Sequence, residues 1–160
     1  MQREWSLVFS DRLAAEPARV WDAVCTMRGV NEELMPLMRM TYPPEAADAG
    51  LEEAPTGTFL FYSWVLLGGI VPVDRHHFRL TRIEPGRGFV EESVSWSQRY
   101  WRHERIIEPG QGGCILTDSL TFRPRISLIG PLVAWFIRRL FEHRHARLRR
   151  KFGEPNSVSH

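Results

Sequence analysis

The sequence predicts an α+β domain in which an antiparallel sheet is covered by one long C-terminal helix. Three observations lead there. From Leu128 to Phe152 apolar residues recur at helical spacing (Ile129, Leu132, Val133, Phe136, Leu140, Phe141, Leu148), with Gly130-Pro131 near the start and Gly153 and Pro155 past the end. Between residues 57 and 122, five strand-like runs are separated by short turn segments, the pattern of a meander. A sheet with one apolar face must cover it, and the terminal helix is the cover at hand.

The elements follow in order. Residues 4–13 alternate enough for a first strand, with Trp5, Val8 or Leu7, Phe9 and Leu13 supplying its apolar content. Pro17 opens a helix to Thr26 that places Val20, Trp21 and Val24 on one face. A second short helix is predicted from about Val30 to Arg39, ended or kinked by Pro36. Tyr42 to Thr56, rich in Pro, Ala and acidic residues, reads as a mobile loop, either a solvated connector or a gate over a pocket. Five strands come next, Gly57–Leu67, Ile70–Ile83, Phe89–Trp96, Tyr100–Glu108 and Gly113–Phe122. One domain over residues 1–153 and a short tail over 154–160 are expected.

Composition narrows the function classes. The chain has 160 residues, 43% hydrophobic and 25% charged, enough apolar side chains for a core and outside the disordered and disulfide-scaffold classes. A net charge of +2 gives no field that would draw nucleic acid. Cys25 and Cys114 read as free, buried thiols in a reducing compartment. Residues 1–10 lack the apolar run of a signal peptide, and the most apolar runs, 63–73 and 126–137, are shorter than the roughly 18–20 residues that span a bilayer. A cytoplasmic protein is expected.

The turns suggest a register, and register decides which side chains face inward. A two-residue Gly68-Gly69 turn sets Phe61 opposite His76 and Phe59 opposite Phe78. The break at 84–88 sets Leu80 opposite Glu92 and Phe78 opposite Val94. A Ser97-Gln98 turn sets Val94 opposite Trp101 and Glu92 opposite His103, and a four-residue break at 109–112 sets His103 opposite Asp118. The face so selected carries Phe59, Phe61, His76, Phe78, Leu80 and Val94, then Trp101, Leu116, Leu120 and Phe122. Embedded in it are Glu92, His103, Arg105 and Asp118. An aromatic surface with one polar cluster suits a mostly apolar small molecule.

His103 between Glu92 and Asp118 has two readings. It is either a proton-transfer or ligand-anchoring group, or part of a polar network that fixes strand register with Arg105 balancing the charge. No metal site is read: His76 and His77 are consecutive on a strand and point apart, and His143 and His145 lie about 200° apart on a helix. No phosphate loop or dinucleotide fingerprint occurs, so no cofactor is implied. The helix end from Arg138 to Lys151 sets seven cations against the single Glu142, either a solvated flank or a contact for an anionic membrane surface or an acidic partner. On the other strand face Tyr62, Trp64, Leu66, Val71 and Val73 form an apolar patch, either a dimer interface or loop-covered, which leaves monomer and homodimer both open.

Several short motifs resemble one superfamily. Phe89-x-Glu91, Trp101-x-His103, and Gly113, Asp118 and Phe122 are similar to the F-x-D, W-x-H and G-G-T-x-L-x-D pattern of an uncharacterised bacterial ligand-binding branch of the START-like (SRPBCC, polyketide cyclase/dehydrase-like) superfamily. Phe141-x-x-Arg144-His145 and Pro17-Ala18-x-Val20-Trp21 are similar to its ending and its first helix. Glu91 stands for the usual Asp, Cys114 for a Thr, Arg105 for a second His, and Trp96-Ser97 where the branch has Gly-Pro. The resemblance implies a helix-grip fold, seven antiparallel strands gripping the C-terminal helix around a hydrophobic cavity for lipids, polyketides or similar molecules. Binding or carriage without catalysis is then expected, with His103 and Arg105 as polar anchor; the alternative is an aromatase/cyclase-type enzyme with His103 as general base.

Overall fold

The computed structural model describes residues 3–156. Its strands are β1 (Trp5–Leu13), β2 (Met38–Met40), β3 (Phe59–Leu67), β4 (Val71–Glu84), β5 (Gly88–Ser95), β6 (Gln98–Gly110) and β7 (Gly113–Pro124). The helices are α1 (Pro17–Val24), α2 (Met27–Leu34) and α3 (Gly130–Phe152). All seven strands pair antiparallel in the order β1-β7-β6-β5-β4-β3-β2. The sheet curls around α3, which packs mainly on β1 and α2. This is the helix-grip fold.

Local chemistry explains the ends of the elements. Pro17 opens α1, where its missing N–H costs nothing. Thr26 caps α2, its hydroxyl accepting from Gly29 N at 3.0 Å. The second helix therefore starts earlier than its apolar spacing predicts and stops at Leu34, before Pro36. Residues 38–40, expected at its end, form the seventh strand instead. Asn31 holds them there: its side chain donates to Met40 O and accepts from Met40 N, both at 2.8 Å. The acidic segment read as a mobile loop carries two 3-10 turns and is docked. Leu51 is buried in the core, Trp21 Nε1 donates to Glu52 at 2.9 Å, and Arg28 grips Asp48.

Beneath the sheet three layers succeed one another along α3. At its C-terminal end Leu148 and Phe152 join Leu13, Val20, Trp21, Leu80 and Leu116 in the larger apolar core. Each fully buried Leu or Phe there contributes about 1.5–3 kcal/mol. In the middle lies a layer of charge, described below. Toward the N-terminal end of α3, Ala134, Ile137 and Phe141 meet Leu7, Leu120, Phe122 and Trp101 in a second apolar cluster.

Bulges correct the expected register. Gly68 and Gly69, at φ of 62° and 81°, form a three-residue turn with Ile70, so that Leu67 faces Val71. Thr81 is an extra residue on β4, and beyond it Leu80 faces Glu91 rather than Glu92. Glu92 and Val94, expected inside, therefore lie on the outer face, where Glu92 meets Tyr100 and Arg102. Glu91, Ser93 and Ser95 take their place inside. Leu60 is likewise extra on β3 and packs against the core, which turns Phe59 outward onto Tyr62 and His77. Between β6 and β7 the turn is Gln111-Gly112, so Arg105 rather than His103 faces Asp118. That slip is two residues, and every side chain keeps its face.

Candidate functional site

The inner face brings Phe61, His76, Phe78 and Leu80 of β3 and β4 together with Trp101, His103 and Arg105 of β6 and Leu116, Asp118, Leu120 and Phe122 of β7. Of the residues expected there, Phe59, Glu92 and Val94 fall outside it.

Asp118 is the centre of the charged layer. Its Oδ1 accepts from His103 Nε2 and Arg105 Nε, both at 2.7 Å, and its Oδ2 accepts from Arg105 Nη2 at 2.7 Å and His145 Nε2 at 2.8 Å. Arg105 also donates to both oxygens of Glu33, at 2.6 and 3.0 Å, and Arg144 Nε donates to Glu33 at 2.8 Å. His145 Nδ1 meets Asp11 at 2.6 Å, and Arg149 joins the same oxygen at 2.8 Å. One network thus ties α2, α3, β1, β6 and β7 together. Burial penalises the charges of Asp118 and Glu33, yet the guanidiniums outweigh it. Asp118 is held well below the usual carboxylate range, and Glu33 is lowered too. Arg105 is kept charged despite burial by the same two carboxylates. At 1% exposure and with four donor contacts committed, it has little left for a ligand.

His103 differs from the guanidiniums. Burial pulls its imidazole below its ordinary value; Asp118 opposes this, and Arg144 and Arg105 add to it. It is a neutral ring donating Nε2–H to Asp118, packed edge-on against Phe89 and Phe141 at 5.3 Å each. Its Nδ1 has no protein hydrogen-bond partner among the described residues.

A second pair lies nearer the N-terminal end of α3. His76 Nε2 meets Glu91 Oε1 at 2.5 Å, and Ser93 Oγ donates to the same oxygen at 3.1 Å. Burial alone would lower His76, but the charge and hydrogen bond of Glu91 outweigh it, helped by Asp74, and the imidazole is held above its ordinary value. Burial would raise Glu91; His76, through charge and hydrogen bond, holds it low. The His76 ring stands edge-on to Trp101 at 6.4 Å and near Phe78 at 6.2 Å. Beyond it, Asp74 collects Ser95 and Ser97 at 2.8 and 2.5 Å, and buried Gln98 leaves its Oε1 without a partner among the described residues. Around these groups Phe9, Phe61, Val65 and Trp101 face inward yet stay only half-buried.

A separate cleft of about 280 Å³ lies between α1, α2 and the C-terminal half of α3, lined by Val24, Gly29, Glu32, Leu148 and Phe152 among others. It is not part of the aromatic inner face.

Reasoning from the sequence missed Glu33 and gave Glu91, Arg144 and His145 no place in the polar cluster of the inner face. Glu33 carried a signal. It falls on the helical face of Val30 and Leu34, where a carboxylate must find a cation. Among the described residues no group of three or more His, Cys, Asp or Glu side chains could hold a metal ion, and no helix is long and apolar enough to cross a membrane.

The family model described as "Domain of unknown function (DUF8410)" matches residues 11–152. No curated protein matches the chain in sequence. Among solved structures the chain is similar to protein CV1439 from Chromobacterium violaceum, with a TM-score of 0.71 at 13% identity, over 94% of this chain and 98% of that one. It is similar to a START superfamily protein from Mycobacterium smegmatis, with a TM-score of 0.61 at 11% identity, over 93% and 96% of the two chains. DynU16, from the dynemicin biosynthetic locus, is similar with a TM-score of 0.58 at 15% identity, over 95% of this chain but 48% of that one. The shared property is the START-like fold.

Proposed function

The chain belongs to the DUF8410 family and carries the START-like helix-grip fold, and from that premise we propose that it binds or carries an apolar small molecule, lipid, polyketide or aromatic in character. The site is the inner face of the sheet beside α3, and binding rather than conversion is the function. One observation carries this reading: Phe9, Phe61, Val65 and Trp101 point inward without being fully enclosed, next to two imidazoles of opposite character. An apolar ligand would complete their burial. His76, held toward its protonated form, donates to a carbonyl or acidic oxygen of the ligand. His103, neutral, offers Nδ1 as an acceptor. Arg105, expected as an anchor beside His103, instead holds Glu33 and Asp118 in place. The unpartnered Gln98 Oε1 is a further acceptor for a ligand hydroxyl.

An aromatase/cyclase-type activity is the second reading. It is favoured by one observation, that burial keeps His103 neutral and so able to accept a proton. Against it, Asp118 is shared among four donor contacts, and burial with Arg144 and Arg105 outweighs its raising effect and leaves the ring a weaker base than a free imidazole. Turnover of a poly-β-keto substrate with a bell-shaped pH profile, lost in His103→Gln, would move this reading to first place.

Titration with the apolar fluorophore 1-anilinonaphthalene-8-sulfonate tests binding. A saturable emission rise is expected, weakened about tenfold in Trp101→Ala and unchanged in Val8→Ser, on the outer face of β1. Equal affinity in wild type and Trp101→Ala would count against the inner face as the site.

A further inference from the structure

We propose that one end of the molecule docks on an anionic lipid surface. The proposal stands apart from ligand binding and rests on how the antiparallel meander distributes its turns. The β3–β4 turn, the β5–β6 turn, the start of β2 and the link from β7 to α3 all lie at one end of the sheet. Backbone contacts join them: Gly68 N donates to Leu37 O at 2.7 Å, Trp96 N to Arg75 O at 3.2 Å, and Arg125 N to Ser97 O at 2.9 Å.

That end is apolar where turns are ordinarily polar. The hairpin tip presents Leu67, Ile70, Val71 and Val73, and the β5–β6 turn presents Trp96. The link and first turns of α3 present Ile126, Leu128, Ile129, Leu132 and Trp135, with Leu128 at 90% exposure and Ile70 at 81%. With Leu37 these make eleven of the sixteen large apolar side chains exposed among the described residues. Soluble surfaces rarely gather so much at one place without a partner. The opposite end is the contrast. Its turns carry Glu84, Arg87, Glu108 and Gln111 and expose none of the sixteen.

Charge selects the occupant. Between Asp118 and Glu142 the sequence has Arg123, Arg125, Arg138 and Arg139 and no acidic residue. Arg99 lies in the neighbouring strand start, and neither it nor Arg138 forms an ion pair among the described residues. Asp74, the acid nearest the tip, is turned onto Ser95 and Ser97. Apolar side chains for the acyl boundary, two exposed Trp rings for the headgroup level and a belt of Arg, in which Arg123 and Arg139 meet only the half-exposed Glu4 and Glu142 while Arg99 and Arg138 have no ion pair among the described residues, fit a bilayer of anionic lipid. The basic C-terminal end of α3 does not. Arg144 is buried on Glu33, Arg149 pairs with Asp11 and Glu154, and Lys151 pairs with Glu32.

Co-sedimentation with vesicles tests the proposal. The full chain should pellet with equimolar phosphatidylglycerol–phosphatidylcholine vesicles, pellet less with phosphatidylcholine alone, and be released by salt, which screens the Arg belt. The double variant Leu128→Ser, Trp135→Ser changes two solvent-exposed side chains, so the fold is kept, and its partition should fall about tenfold or more. Arg138→Glu with Arg139→Glu should abolish the preference for anionic vesicles. Wild type remaining in the supernatant with both vesicles, or the Ser variant pelleting like wild type, overturns the proposal. So does sedimentation velocity showing a dimer that the Ser variant loses while no vesicle is bound, because the occupant is then a second copy of the chain.

Discussion

His76 and His103 sit on one inner face and are pushed in opposite directions: burial lowers both, and only at His76 do the neighbouring carboxylates outweigh it. His76 has a single carboxylate, Glu91, and no guanidinium bonded to it. His103 has Asp118 already occupied by Arg105 and His145, with Arg144 close enough to repel a proton. The signs of their pH effects therefore differ. His76 is held above its ordinary 6.5, so its stabilisation is fully present below about 6.5 and lost as pH rises through the folded value. His103 is held below 6.5, so its stabilisation is present above about 6.5 and lost as pH falls through the folded value. Urea denaturation across pH separates them. His103→Gln should lose stability as pH rises past 6.5, and His76→Gln should lose it on acidification below 6.5. Slopes of the same sign in both variants would refute the assignment. Glu33 and Asp118, held low chiefly by Arg105, add a loss of stability at more acid pH in both variants, and Glu91 adds one only where His76 is kept. Breaking the charged layer should be severe. Glu33→Gln leaves Arg144 without a carboxylate and Arg105 with Asp118 alone, and a loss of about 3–5 kcal/mol in chemical denaturation is expected.

At the scale of elements, turn residues and helical spacing made the order legible. The first strand, the first helix, the meander and the long helix stand where Gly, Pro and apolar periodicity put them, within two residues at most ends. The inner face was legible only in part, and the reason is the bulge. Thr81 and Leu60 each add one residue to one strand of a pair and so exchange faces beyond them; on β5 the exchange is undone at the next turn, where Glu91 rather than Glu92 faces His103 and Ser93 rather than Val94 faces Trp101. No composition signal marks either position, so Glu92, Val94 and Phe59 were assigned inward. The shift at the β6–β7 turn did no such damage because it was two residues. The short β2 was hidden for another reason: three residues, held by the tertiary clamp of Asn31, leave no periodicity to read. Helix α2 carries a testable consequence of close packing. A Cβ on Gly29 would stand 2.0 Å from Ala23 O, in backbone that cannot yield without moving α1 from α2. Gly29→Ala should cost about 1–3 kcal/mol by thermal or urea denaturation, although alanine is the better helix former.

The whole molecule is polarised along α3. One end holds the dense core of Trp21, Leu13, Leu116 and Phe152; the other holds half-buried aromatic rings, the His76–Glu91 pair and an exposed apolar rim. The charged layer between them explains the division. It fills the centre of the grip with side chains that satisfy one another, and on the proposed reading a guest lies toward the start of α3. On the proposed reading, stability and binding fall to different lengths of the same helix, Arg144 to Phe152 for the first and Val133 to Phe141 for the second. The most direct test is native mass spectrometry of freshly purified protein, with solvent extraction of whatever is bound. The account predicts a discrete apolar adduct in wild type that is reduced or absent in Trp101→Ala. An adduct retained undiminished by Trp101→Ala, or a wild type that carries none and takes up none from a panel of fatty acids and aromatic polyketides, would contradict it.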